Sequence, residues 1–348
     1  MEILIKDNVI EEVGKNLGYP EGTKIIDLSG STVTPGMIDA HVHLSQIDVT
    51  DKNIDAVHYS NGWRTLAALY SAKRCLHAGF TTVRHLGWFA EDYILDVKRM
   101  IDMGMHEGAR VIAAPHLLGT TGSHGDGSQS FNTNPDLADW LAYEKYPTIG
   151  CGKDFFVNAV RRERKLGADF IKIMVSGGVM SKTDQPTDVQ LNDEELAGIF
   201  DTAKSLGIPV TAHNYGAAGV KKLVKFGIDG IEHGTMMDEE AARNWIEVYW
   251  PQALDQSWKI WHQYIGATWL KTRLYLYDRE IIEAVREHTT GDCRSDLAKI
   301  IYIADKIDPG RGYDIHRQLA VCMKDLDQGF HLVQQEQKMY LRKEGLNV

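Results

Sequence analysis

The amino-acid sequence predicts an α/β protein that gives way to an all-helical tail. Three observations carry that reading. Short apolar runs, "GMIDAHVH", "TTVRHLG", "ARVIAAPHLLG", "ADFIKIMVSGG", "IPVTAHNYG" and "IDGIEHGT", recur through residues 36–235. Between them lie stretches such as "DEELAGIFDTAKSLG", whose apolar residues fall at helical spacing, so strands alternate with helices and build a parallel sheet of βα units. Beyond about Arg243 the strand runs stop: "DREIIEAVREHTTG", "SDLAKIIYIADKID" and "RQLAVCMKDLDQGFHLVQQEQKMYL" all read as amphipathic helices.

Length and texture divide the chain. Its 348 residues exceed what one core comfortably holds, about 250–300 residues. Only six of its 32 glycines lie in residues 244–348, while Trp245, Trp250, Trp258, Trp261 and Trp269 crowd the start of that segment. A boundary is therefore expected at about residue 243. The balance of 43% hydrophobic and 25% charged residues is that of a soluble globular protein. A formal charge of −10 excludes a general nucleic-acid binder, which needs a basic field to displace counterions. Cys75, Cys151, Cys293 and Cys322 are far apart and form no CxxC pair, which argues against thiolate zinc and a disulfide framework. The start "MEILIKDNVIEEVG" carries acids within its first dozen residues and no long apolar core, so neither a signal peptide nor a membrane span is expected, and the expected compartment is the cytoplasm.

The first strand run carries the chemistry. In "TPGMIDAHVHL", strand alternation puts Asp39, His41 and His43 on one face and Ile38, Ala40 and Val42 on the other, so two imidazoles can converge on one metal ion. Alone, an HxH triplet is a weak signal. His213 ends "IPVTAH", His233 ends "IDGIEH", and Lys172 sits inside "DFIKIMV", each at or near a strand end. A lysine buried among apolar residues must be paired, neutralised or modified. Addition of CO2 would make it a carbamate, whose two anionic oxygens can bridge two cations.

Taken in order, "PGMIDAHVHL", "GADFIKIMVSGG", "VTAHNYG" and "GIEHGT" resemble the amidohydrolase superfamily of metal-dependent (β/α)8-barrel hydrolases, in its imidazolonepropionase-like and Xaa-Pro dipeptidase-like branch. The resemblance covers about residues 1–243. It implies that His41 and His43 bind the more buried metal, Lys172 is the bridging carbamate, and His213 and His233 bind a second metal. One or two zinc ions are the default cofactor, since imidazole and carboxylate-type ligands suit zinc and leave a position for water. The loop "TGSHGDG" also resembles that branch near the substrate, making His124 and Tyr215 candidate substrate contacts. His85, in "VRHLG", fits a core histidine as well as a functional one.

The chain departs from the family in one respect that matters. The family's metal-binding general base, an aspartate at the end of the eighth strand, is not found: Asp238 falls in the loop or helix after the sixth run, and Asp278, Asp296 and Asp305 lie in helical texture. No catalytic residue is assigned. Neither a seventh nor an eighth strand is legible, so the expected fold is an incomplete (β/α)8 TIM-like barrel of six strands over 37–243, with edges that need cover. Residues 1–36 are expected to form a partial β-sandwich segment.

In residues 254–340, "WHQYIGATWLK", "IIEAVREHTTG" and "LAKIIYIADKIDPGRG" resemble the C-terminal half of bacterial HD-domain hydrolases that split diadenosine tetraphosphate. That resemblance implies His262, His288 and Asp305 as ligands of an iron-type dinuclear centre and Arg311 as a phosphate contact. The HD doublet and the earlier helical histidine are absent, so the tail at 244–348 is not expected to hydrolyse nucleotides by itself. The expected function is hydrolysis of amide or peptide bonds of small substrates by a metal-activated water. The alternatives are an HD-type phosphohydrolase of dinucleoside polyphosphates and a catalytically incomplete chimera. The expected partner is a small molecule, with no nucleic acid and no membrane; a homo-oligomer is compatible with the sequence, which does not set the oligomeric state.

Overall fold

A computed structural model describes residues 2–7, 9–46, 59–88, 92–131, 133–144, 148–179, 181, 183–255, 257–273, 277–308 and 314–343. The backbone divides into two compact units, Met1–Met37 and Ile38–Val348. The first holds an antiparallel hairpin of β1 (Glu2–Lys6) and β2 (Val9–Gly14), paired from Glu2 with Gly14 to Lys6 with Val9. Asp7 takes the left-handed conformation at its turn, φ 54°, which Asp tolerates better than most residues. The apolar side chains of Ile5, Val9, Ile10 and Val13 are exposed.

The second unit is built on a six-stranded sheet of β3 (Met37–Val42), β4 (Phe80–Trp88), β5 (Arg110–Leu118), β6 (Ile171–Met174), β7 (Val210–Gly216) and β8 (Gly230–Met236), hydrogen-bonded in that order. The pairings from β4 through β8 are parallel, as βα crossovers require. Between the strands run α1 (Asn61–His77), α2 (Ile94–Asp102), α3 (Pro135–Glu144), α4 (Lys153–Leu166), α5 (Asp193–Leu206) and α6 (Ala217–Phe226). Local chemistry sets several boundaries. Asn192 and Glu195 form a reciprocal capping box at the start of α5. Asp169 and Asp229, each just ahead of a strand, accept from the Ala113 and Val210 amides of the neighbouring strand at 2.8 and 2.7 Å.

Outward-facing strand residues pack on the helices. Val83, Val111 and Ala113 meet Ala68, Ala72, Ile94 and Val97 of α1 and α2. A larger core joins Ile171, Ile173, Val210 and Ala212 to Phe156, Val160, Leu196, Ile199, Val220 and Leu223. Leu86, Ala114 and Phe170 form a separate small apolar cluster. The sheet curls into a nearly closed barrel, and His41 of β3 reaches Glu232 of β8, the opposite edge strand, at 3.0 Å. The sheet is thus the incomplete six-stranded TIM-like barrel the sequence predicts, with the His41–Glu232 contact joining its two edge strands. Ile38 and Met236 on those edge strands remain exposed.

The helical tail is continuous with this unit. In α7 (Glu239–Tyr249), Ala242 and Ile246 pack with Ala253 and with Trp261, the first residue of α8 (Trp261–Arg273). Beyond it follow α9 (Arg279–Glu287), α10 (Asp296–Lys306), α11 (His316–Lys324) and α12 (Leu326–Lys343), with Tyr302, Ile303 and Ile307 packed against Phe330 and Val333. Among the described residues no helix is long and apolar enough to cross a membrane.

Candidate active site

Four histidines gather at the strand ends. The His41 and His43 rings are 5.4 Å apart, His41 is 5.1 Å from His233, and His233 is 4.6 Å from His213. Each pair of positions comes from a different strand or from alternate residues of one strand, as the strand period allows. His43 Nδ1 donates to the Gly87 carbonyl at 2.7 Å. Gly87 has φ 74°, and a Cβ there would fall 2.5 Å from the His116 carbonyl carbon, so glycine is required for the carbonyl to be presented in this way.

Lys172 is buried in β6, in register with Leu117 of β5 and Thr211 of β7. Burial first, and the Arg84 charge second, lower its pKa from 10.5 to about 7 against the opposing pull of Glu232. Burial thus favours the neutral amine, the state that can add CO2. Its charge in turn acts on His43, His213 and His233.

His233 reaches the cluster through an unusual backbone. In the parallel ladder His213 is opposite Glu232, and His233 is opposite Asn214, so simple alternation would send His233 to the other face. Instead His233 adopts φ 72°, and the register shifts between Asn214 and Gly216. The irregularity re-aims the imidazole so that its Nε2 lies 3.0 Å from His213 Nδ1. A histidine held in the left-handed region is a strained feature of the kind found at functional sites.

The side chain that the sequence reading missed is Glu232. Its Oε1 accepts from Arg84 Nη1 and from Thr211 Oγ1, both at 2.6 Å, and its Oε2 accepts from His41 Nδ1 at 3.0 Å. Burial works to raise its pKa, but His41, Lys172, Arg84 and Thr211 together hold it well below the usual carboxylate range. The alternation of "GIEHGT" was the available signal, since it places one of two adjacent polar residues inside.

The donor set fits a divalent cation by its chemistry. Glu232 and the Gly87 carbonyl only accept, so Nδ1 of both His41 and His43 carries a proton, and Nε2 is the ring nitrogen that remains for a ligand. Partners of this kind on the distal nitrogen are characteristic of metal-binding histidines. His213 Nε2 donates to the Gly177 carbonyl at 3.2 Å, which leaves Nδ1 as its lone-pair nitrogen. Burial is the main cause that lowers the pKa of His43 far below 6.5, of His213 to about 2 and of His233 to about 4, so these rings are neutral at pH 7. With His213 Nδ1 the lone-pair nitrogen, His233 Nε2 donates to it at 3.0 Å. Among the described residues no group of three His, Cys, Asp or Glu side chains is placed to hold a metal ion.

The remaining expected residues divide. His124 stacks on His213 at 4.5 Å and bonds Ser181 Oγ through Nδ1 at 2.5 Å; Tyr215 stacks on His233 at 4.6 Å. Both candidate substrate contacts thus border the cluster. His85 is fully buried, and its Nδ1 accepts from the Leu44 amide at 3.2 Å. Asp238 caps α7 through the Ala241 amide, Asp278 caps α9, Asp296 pairs with Lys299, and Asp305 pairs with Lys306. In the tail, His262 and His288 meet with Nε2 atoms 3.1 Å apart, while Arg311 lies outside the described residues.

A barrel-like parallel sheet with histidines, a buried lysine and a carboxylate at its strand ends defines a class of hydrolase scaffold. The defining pattern of the Amidohydrolase family matches residues 32–250, and this chain belongs to that family. It is 31% identical over 259 residues to "Ochratoxinase" of Aspergillus niger, an alignment covering 68% of this chain and 51% of that protein. Its fold resembles a crystal structure of a Xaa-Pro dipeptidase with bound methionine, at 34% identity and TM-score 0.60, covering 70% of this chain and 59% of that one. The A. niger ochratoxinase structure is similar at 26% identity and TM-score 0.54, covering 68% and 59%. The chain therefore spans about half the length of the curated relatives it matches. A shorter stretch, 21% of this chain, is 34% identical over 82 residues to a probable nicotinate-nucleotide adenylyltransferase/Ap4A hydrolase of Mycoplasma genitalium, covering 23% of that protein.

Proposed function

We propose that this chain is a metal-dependent hydrolase of amide or peptide bonds in small substrates. The observation that carries the reading is the convergence of His41, His43, His213 and His233 beside a buried Lys172 at one end of the sheet. His41 and His43 would hold one divalent ion, His213 and His233 a second, and a Lys172 carbamate would bridge them. When bound, such ions supply polarisation of the scissile carbonyl and a lowered pKa for water. His124 and Tyr215 line the cluster and would orient the substrate by hydrogen bonding and by ring contact. Hydrolysis of amide bonds is also what the names ochratoxinase and Xaa-Pro dipeptidase associate with its relatives.

Proton transfer is the weak part of this site. Asp238, Asp278, Asp296 and Asp305 are engaged at helix ends or with lysines, and Glu232 is committed to Arg84, Thr211 and His41. The test is zinc titration of the purified chain, followed by assay against dipeptides and N-acyl amino acids. Binding of fewer than one zinc per chain, with no turnover of either class, would refute the proposal.

For residues 254–340 the HD-like reading stays a proposal, with the 3.1 Å approach of His262 to His288 in its favour. With no HD doublet it is assigned no hydrolysis of its own.

A further inference from the structure

Glu232 connects three strands through one carboxylate. Its bonds reach Arg84 on β4, Thr211 on β7 and, from the opposite edge of the sheet, His41 on β3. The guanidinium that meets it is itself held, lying 4.2 Å over the Phe170 ring. The Glu232 side chain is only 11% exposed and Arg84 13%, so both are committed to this arrangement rather than to solvent. With one oxygen occupied by Arg84 and Thr211, the other is left in a set position for a single donor, His41 Nδ1.

We propose that Glu232 is a positioning residue: anchored by Arg84 and Thr211, it fixes the ring and tautomer of His41, so that Nε2 is the nitrogen left to bind a metal. The metal part of this inference rests on the functional reading above; the tautomer part does not. An outer carboxylate on a metal-binding histidine is worth about 10–100-fold in metal affinity. Here it comes from the last strand and acts on the first, so curling of the sheet and preparation of His41 are one event.

The test uses the full chain, metal-free, with 15N-labelled histidine, and His41→Gln to identify the His41 signals. The wild type should show His41 protonated on Nδ1. In Glu232→Gln the preference should be lost, and zinc affinity should fall about 10–100-fold. Glu232→Asp, which keeps a charge beside Arg84 but withdraws it from His41, should behave alike if Glu232→Gln does not fold. A folded variant that retains the Nδ1-protonated tautomer and wild-type zinc affinity would overturn the proposal. Loss of folding in both variants would also overturn it, by making Glu232 a structural tie only. If the wild type binds no zinc, the functional reading fails, and the tautomer of the metal-free chain still decides the role of Glu232.

Discussion

His41 and Glu232, 191 positions apart in the chain and on opposite edge strands of one sheet, meet at 3.0 Å. Their contact ties sheet closure to the histidine cluster. It also makes the cluster sensitive to substitutions on β3, β4, β7 and β8 alike.

Lys172→Ala should fold, since it replaces a buried amine with an apolar group, and should lose bound metal. Partial recovery of zinc binding on adding a small carboxylate is expected if a carbamate bridges two ions. Metal analysis of the purified variant provides the check, and unchanged stoichiometry would remove Lys172 from the site.

His213→Ala should weaken zinc binding by more than about tenfold, or about 1.4 kcal/mol. It also takes away the partners of His233 Nε2 and of the His124 ring. Titration against a chelating dye measures the loss; equal affinities in variant and wild type would place the metal elsewhere.

Gly177→Ala should destabilise the chain by about 1–3 kcal/mol, the usual range for overpacking. A Cβ there would fall 2.1 Å from the Gln185 carbonyl oxygen, and the Gly177 carbonyl is the acceptor for His213 Nε2. Urea unfolding should show the loss together with reduced zinc binding, and stability equal to wild type would show that the loop yields without effect.

Stability should fall on the alkaline side because of His116. Burial acts to lower its pKa, but the Asp92 carboxylate, 3.7 Å from Nε2, and the Glu163 carboxylate, hydrogen-bonded to Nδ1 at 2.9 Å, raise it from 6.5 to about 9. A folded-state pKa above the unfolded value gives a contribution fully present below about pH 6.5 and lost as pH rises through about 9. The loss should be on the order of 3 kcal/mol. His116→Gln should flatten the denaturation profile between those values; an identical slope in the variant would discount the pair.

Catalysis should be feeble in the absence of a dedicated aspartate. General acid–base groups contribute about 10²–10⁴-fold, so weak or undetectable dipeptidase turnover is expected, with none against dinucleoside polyphosphates. Assays of both classes with zinc, manganese or iron decide this. Rates on the order of 1–10³ per second would mean that another carboxylate has taken the base position.

The histidine pattern, the alternation of strands and helices, and the odd lysine were legible because each is local. A strand's period of two assigns faces within a few residues, and an apolar run around Lys172 announces burial without any partner being known. Glu232 was not legible in that way, since its meaning depends on Arg84, Thr211 and His41, which only the curled sheet brings together. The same holds for His233, whose inward aim comes from a φ of 72° that overrides strand parity, and for His116, which needs Glu163 from α4 to become a buried cation. Periodicity determines which face a side chain takes; charge networks and backbone irregularities depend on what stands opposite, and that is set by tertiary packing.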